Sequence, residues 1–296
     1  MNCPLVLGTA QLGMPYGIAN KHGQPNSDLV NKIVKTAWEN NIKVYDTAQG
    51  YGESEKALGN AIKLLKLSSE VKIVTKLNPN LNHLDKVALE QAVKESLSYL
   101  NVPILYALML HREEFLELWE CGLGDTLKSF VSKGLNKHIG ISVYSPAKAL
   151  LALNTDGISI VQLPSNIFDR RFERADVFEY AKKQKKQIYV RSVFLQGLAV
   201  MSIEELPKHM QFAAPVLKML DELCSNSGLT RQGLALGYAK YAYPDSKILF
   251  GVETPGQLEE NIAYWNENLS VSIIDQVQKV FNKVDERILN PALWNK

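Results

Sequence analysis

The sequence has little of what marks secreted, membrane-spanning or nucleic-acid-binding proteins. Its 296 residues hold three cysteines, Cys3, Cys121 and Cys224. They are too few and too scattered for a disulfide framework or a thiolate metal site, and suggest a reduced cytosolic protein. No apolar run reaches the ~18 residues needed to cross a bilayer. The opening "MNCPLVLGTAQLG" has neither a basic leader nor a long apolar core. That argues against secretion, and a cytoplasmic location is expected. A net charge of +2 is no electrostatic footprint for nucleic acid. The one basic run, Lys182, Lys183, Lys185 and Lys186, closes a predicted helix, where cations complement the helix dipole. Several catalytic signatures are also missing. "GTAQLGMPYG" after the first strand is neither G-x-G-x-x-G nor a phosphate loop. No G-x-S-x-G elbow appears, and the five histidines show no zinc-binding spacing, so no metal site is expected. No linker or low-complexity stretch divides residues 1–296, which are read as one domain.

What the chain does have is alternation. Hydrophobic residues make up 46% and charged residues 22% of it, the balance of a soluble globular protein. Short β-branched runs at 4–8, 42–46, 71–77, 105–111, 137–142, 158–163, 187–192 and 246–251 read as strands. Most are apolar on both faces, as parallel strands under helices must be. Helical patterns lie at 28–41, 53–66, 85–100, 113–132, 146–153, 171–185, 214–242 and 256–265, with a last one at 271–288. The 214–242 pattern breaks at "SNSGLT", with Thr230 as N-cap. Eight β-α units with a helical tail predict an α/β (β/α)8 TIM barrel.

In that fold the carboxyl ends of the strands face the active site. Read in order, those ends carry Thr9, Asp46 with Tyr51, Lys76, His111, Ser142, Gln162 with Asn166, and Arg191. Taken singly, each has an ordinary explanation: Asp46 a turn cap, Lys76 a surface lysine, His111 a core histidine, Tyr51 packing. Together, at matching ends of successive strands, they describe a site. A free tyrosine titrates near pH ~10, and a nearby ammonium is expected to lower that. A carboxylate keeps the ammonium charged and aimed. A histidine beside them can polarise a carbonyl. This equipment protonates a carbonyl oxygen while hydride reaches its carbon, and the hydride requires a cofactor.

These residues resemble the aldo-keto reductase family. "YDTAQGYGESEKALG" is similar to its D-T-A-x-x-Y-G-x-S/N-E signature, "IVTKL" to its lysine strand and "LMLHREE" to its histidine strand. "KHIGIS" and "VQLPSN" resemble the strands that hold the nicotinamide carboxamide, and "KILFGVETPGQLEENI" the segment that binds the adenosine end. The resemblance runs from Leu5 to about Tyr264. It implies reduction of an aldehyde, ketone or sugar to an alcohol. Tyr51 would be general acid/base, assisted by Lys76, with Asp46 holding Lys76 and His111 orienting the carbonyl. Thr9, Ser142, Gln162, Asn166, Arg191, Leu195, Gly197, Leu198, Gly251, Glu253, Gln257, Glu260 and Asn261 would contact the cofactor. Met14, Tyr16, Phe168 and Phe194 are candidates for substrate contact.

Three positions depart from the family pattern. Val143 stands where many members have Asn, which removes one carboxamide contact. Arg191 stands where many have an aromatic residue stacked on nicotinamide; a planar guanidinium can also stack. Glu253 falls where a cation often meets the adenosine 2′-phosphate, and a carboxylate there is repulsive. The family default, NADP, is expected, with NAD or dual use as the alternative. A second functional class is a regulatory cofactor-binding protein, as potassium-channel β subunits are, although such a protein need not keep all four of Asp46, Tyr51, Lys76 and His111. Isomerase or aldolase chemistry on a barrel would not call for the "GQLEEN" segment. Oligomeric state is not legible.

Overall fold

The structure, a computed structural model, describes residues 3–294. Eight parallel strands close into a barrel in sequence order. They are β1 (Leu5–Gly8), β2 (Val44–Asp46), β3 (Lys72–Lys76), β4 (Leu105–Leu110), β5 (Asn136–Ser142), β6 (Ile158–Pro164), β7 (Gln187–Arg191) and β8 (Lys247–Gly251). Each falls on a predicted run. Closure is made by β1 and β8, which pair from Leu5 opposite Ile248 to Gly8 opposite Gly251.

The two-residue alternation of a strand divides each run between two cores. Val6, Val44, Val74, Ala107, Met109, Ile160 and Tyr189 point inward and fill the barrel. Their sequence neighbours, among them Leu7, Tyr45, Ile73, Leu108, Val161 and Ile188, point outward beneath the helices. The same parity carries one layer further toward the carboxyl ends. Asp46 follows Val44, Lys76 follows Val74, Gln162 follows Ile160, and Arg191 follows Tyr189. The strand-end polar residues are thus the inward positions left after the apolar filling stops.

A short helix, α1 (Ala10–Gly13), follows β1 directly, before α2 (Ser27–Glu39). The outer ring continues with α3 (Ser54–Leu64), α4 (Lys86–Leu100), α5 (Gly124–Ser132) and α6 (Pro146–Asn154). It is completed by α7 (Arg171–Arg174), α8 (Val177–Lys183), α9 (Ala214–Ser227), α10 (Arg231–Ala242) and α11 (Pro255–Asn266). The tail holds α12 (Val271–Val280) and α13 (Glu286–Leu289). Gly59 lets α3 cross α4 in contact, since a Cβ there would sit 1.9 Å from the Tyr99 carbonyl oxygen. The predicted break before Thr230 is present: Gly228 closes α9 at φ 70°, and the Thr230 hydroxyl accepts from the Gly233 amide at 3.0 Å.

Three predicted helices are divided. Residues 113–132 form a 3-10 turn over Glu113–Leu118 and a widened turn over Trp119–Leu123 before α5, because Gly122 takes φ 106°. Residues 171–185 split into α7 and α8 at Asp176, which is left-handed at φ 53°. The 271–288 pattern breaks between α12 and α13. Among the described residues no helix is long and apolar enough to cross a membrane, and no group of three or more metal-ligating side chains gathers.

Candidate active site

The site grows from the β2–α3 connection. The carbonyl of Asp46 accepts from the Thr9 amide and from the Thr9 hydroxyl, both at 2.9 Å. The Ser54 hydroxyl lies 2.9 Å from that of Thr9 and 3.0 Å from that of Thr47, and donates to the Thr9 carbonyl at 2.7 Å. All three hydroxyls are fully buried. Thr9 thus has a structural task, fastening the end of β1 to the end of β2. Gln49 ties the turn outward: its side-chain oxygen accepts from the Asn78 amide, and its nitrogen donates to Ala92 and Ser96 of α4.

That scaffold presents the carboxylate of Asp46 to the barrel axis. Lys76 Nζ donates to Asp46 Oδ1 at 2.5 Å and to the Thr47 carbonyl at 3.0 Å. Both ends of the ion pair are almost wholly buried. The second carboxylate oxygen accepts from Gln162 Nε2 at 2.7 Å. A carboxylate only accepts, so the Gln162 amide nitrogen must face it and the amide oxygen is left for another partner. Lys76 Nζ lies 5.1 Å from the centre of the Tyr51 ring, and Tyr51 meets His111 edge-on with centroids 5.7 Å apart. The four residues named from the sequence are therefore one cluster.

Their proton affinities refine the expectation. Burial holds His111 down to about 4, with the charges of Lys76, Arg191 and Arg112 adding to it. The imidazole is therefore neutral at pH 7, and its Nδ1 is buried without a partner among the described residues. Tyr51 departs from the sequence reading. Its phenol is raised, not lowered: burial dominates, the Asp46 carboxylate adds, and Arg191 opposes. The ammonium is expected to lower it, but burial and the Asp46 carboxylate outweigh the neighbouring positive charge. The Tyr51 phenol is therefore protonated throughout the neutral range.

From this cluster a cleft of about 220 Å³ runs across the barrel mouth to the start of α11. Thr9, Tyr16, Asp46, Tyr51, Gln162, Arg191, Phe194, Gly197, Gly251, Glu253, Gln257, Glu260 and Asn261 all line it. Gln11, Asn20, Ser192, Gln196 and Gln232 line it too and were not singled out from the sequence. Their long-range convergence has no local signature. Ser142 is inward and buried at the end of β5, beside Gln162 in register.

Other predicted contacts belong elsewhere. Phe168 is buried against Phe281, rings edge-on at 4.9 Å, and does not line the cleft. Its core packing removes it from the substrate candidates. Met14 is not a lining residue either; it lies against Gly52, beside Tyr51. Asn166 is fully engaged in the scaffold: its oxygen accepts from the Phe168 and Asp169 amides and its nitrogen donates to the Ser192 carbonyl at 3.0 Å. The amides of Leu195 and Gly197 already donate to Ser192 and Phe194, so they are not free for a pyrophosphate, and the Leu198 side chain is in the outer core. Gly197 at φ 96° instead gives close passage to Ala19, to which a Cβ would come within 2.4 Å. Arg191 stacks on Tyr144, guanidinium carbon 4.3 Å from the ring centre.

Comparison with known proteins agrees with this fold and identifies the family. The sequence profile of the Aldo/keto reductase family matches residues 4–282. Aldo-keto reductase YhdN of Bacillus subtilis is 26% identical over 268 residues, 80% of this chain and 79% of that protein. L-galactose dehydrogenase of Arabidopsis thaliana is 26% identical over 96% of this chain and 90% of its own. Among solved structures, aldo-keto reductase AKR11C1 from Bacillus halodurans in its holo form superposes with a TM-score of 0.76 at 20% identity, covering 94% of this chain and 91% of that one. An aldo/keto reductase from Klebsiella pneumoniae in complex with NADP and acetate gives 0.73 at 18% identity, with coverages of 94% and 91%. A closed parallel (β/α)8 barrel with this match over nearly its whole length belongs to the aldo-keto reductase family of oxidoreductases, which act on carbonyls.

Proposed function

We propose that the chain reduces a small polar aldehyde, ketone or sugar to its alcohol with NADP(H), NAD(H) being an alternative cofactor. The observation that carries this is the buried Asp46–Lys76 pair beneath Tyr51, with a neutral His111 against the same ring. Tyr51, protonated throughout the neutral range, gives its proton to the carbonyl oxygen. Lys76, fixed by Asp46 and the Thr47 carbonyl, supplies positive charge next to the phenolate that results. His111 has one N–H to offer the substrate oxygen and, being neutral, adds no second cation beside Lys76.

The cleft fits a dinucleotide. Amides are the most frequent polar groups in its lining: Gln162, paired in register with Ser142, offers an oxygen suited to the nicotinamide carboxamide, and Gln257 with Asn261 offers adenosine partners at α11. Gly251 carries no side chain where Gln11 is laid across the end of β8. When bound, the cofactor supplies hydride to the carbonyl carbon. At the adenosine end the charged lining groups are Glu253 and Glu260, which receive a 2′-hydroxyl more readily than a 2′-phosphate. This is the basis for retaining NAD(H) beside the default NADP(H).

The test is Tyr51→Phe with aromatic and sugar aldehydes and both reduced cofactors. Loss of at least about a hundred-fold in kcat, with cofactor affinity kept, is expected for a removed general acid. Undiminished hydride transfer would refute the role of Tyr51.

A further inference from the structure

Arg191 is held far more firmly than a rim arginine needs to be. Its guanidinium face lies on Tyr144 at 4.3 Å, and Nη1 donates to the Ser192 hydroxyl at 3.2 Å. The next residue, Ser192, takes a left-handed φ of 62°, costly for a residue with a side chain. Its carbonyl accepts from the Asn166 side chain and the Leu195 amide, which secures that turn. Tyr144 is secured in turn. The Glu113 carboxylate accepts from the Tyr144 amide at 2.6 Å and the Ser145 amide at 3.1 Å, so Glu113 is committed to the start of α6.

What the guanidinium lacks is an acid. Among the described residues no carboxylate lies within ion-pair distance of it, and its Nη2 is buried with no acceptor. The Asp46 carboxylate, which lines the same cleft, is engaged by Lys76 and Gln162 instead. A buried charged donor without a partner is expensive, and one pre-oriented by stacking is cheap to use. The charge lies where the substrate must sit: Arg191 lines the cleft together with Tyr16 and Tyr51, and its field reaches the phenols of both and the His111 imidazole.

We infer that the free edge of Arg191 receives a carboxylate of the substrate, so that the preferred substrate is a carbonyl compound that is also an acid. This rests on the reductase reading and narrows it. The guanidinium edge, not the face that lies on Tyr144, is what binds the acid. Carboxylate suits the edge because a planar fork matches it in geometry as well as charge. Tyr144 is then a positioning residue, acting through Arg191.

Matched aldehydes test it: 4-carboxybenzaldehyde against benzaldehyde, and succinic semialdehyde against butanal, at saturating NADPH. The readout is the ratio of kcat/KM within each pair. The wild-type protein should favour the acid at least about ten-fold, a typical value for one charge-assisted hydrogen bond. Arg191→Met should bring the ratio to about one, mainly through KM. Arg191→Lys should keep part of the preference and Tyr144→Leu should weaken it, with unchanged thermal midpoints showing that the variants fold. A wild-type ratio near one, or a ratio unmoved in Arg191→Met, would overturn the inference. So would an equal loss for both members that tracks weakened NADPH binding by tryptophan fluorescence, since Arg191 would then serve the cofactor. If neither aldehyde of a pair is reduced, the reductase reading fails. Calorimetry of 4-carboxybenzyl alcohol against benzyl alcohol on the NADP-loaded protein then decides the inference by itself. An acid preference that Arg191→Met abolishes upholds it, and no preference ends it.

Discussion

Tyr51 and His111 both sit where burial outweighs neighbouring charge, and the two effects act on opposite sides of neutrality. Burial favours the uncharged form of each, which for the phenol means protonated and for the imidazole means deprotonated. The proposed donor and polariser therefore keep these forms over a wide pH range. The rate should show it. With His111 at about 4 and Tyr51 raised above its ordinary value, kcat/KM at saturating cofactor should vary by less than about two-fold between pH ~5.5 and ~9. A step near pH ~6.5 that disappears in His111→Gln would show an ordinary histidine instead. Stability follows the same sign. His111 binds its proton less readily folded than unfolded, so its contribution is full above about pH 6.5 and is lost as the pH falls toward 4.

At the scale of elements, the position of Tyr51 depends on a helix of four residues that the sequence reading missed. α1 lies directly on the turn that carries Tyr51. A Cβ on Gly13 would be 2.1 Å from both the Ser54 amide nitrogen and the Tyr51 carbonyl oxygen, and Gly52, at φ 55°, would meet the Gly13 carbonyl at 2.5 Å. The Glu53 amide donates to that same carbonyl at 3.1 Å. Gly13→Ala must therefore push α1 off the turn. It should cost about 1–3 kcal/mol of stability as an overpacked core site does. It should also lower kcat by more than ten-fold, while the Kd for NADPH shifts far less. A variant with native kcat and only a lower Tm would show that α1 is a spacer. The strands were legible because each is apolar on both faces, a pattern that survives in any parallel barrel. Asp46, Lys76 and His111 were legible because the inward parity places them at the carboxyl ends of β2, β3 and β4, and Tyr51 because it stands in the turn that follows β2. What could not be read were side-chain contacts between residues far apart in the sequence. Glu113 beneath Tyr144, Gln162 against Asp46 and Asn166 against Ser192 pair residues 26 to 116 positions apart, with nothing local to announce them. Phe168 was misread for the same reason: its partner, Phe281, comes from the region after α12.

For the molecule as a whole, the cleft draws its lining from the carboxyl ends of β1, β2, β6, β7 and β8, so a dinucleotide there bridges the seam where the barrel closes. Anything that binds the folded chain alone stabilises it by mass action, about 2.7 kcal/mol at a hundred times Kd. For a chain of 296 residues that corresponds to a rise of about 4 °C in Tm. NADPH and NADH should both give a shift of this order, each at a concentration scaled to its own Kd. The acidic lining then predicts how the two respond to one change. Glu253 borders the cleft at the β8–α11 turn, its amide donating to the Gln257 side chain at 2.7 Å. Glu253→Gln removes the charge and keeps the shape. At a fixed concentration it should enlarge the NADPH shift, since repulsion against a 2′-phosphate is relieved, and leave or slightly reduce the NADH shift, since an acceptor for the 2′-hydroxyl is weakened. Equal changes for both cofactors would mean that Glu253 does not face the ribose, and the choice between them would then lie with Glu260 and the start of α11.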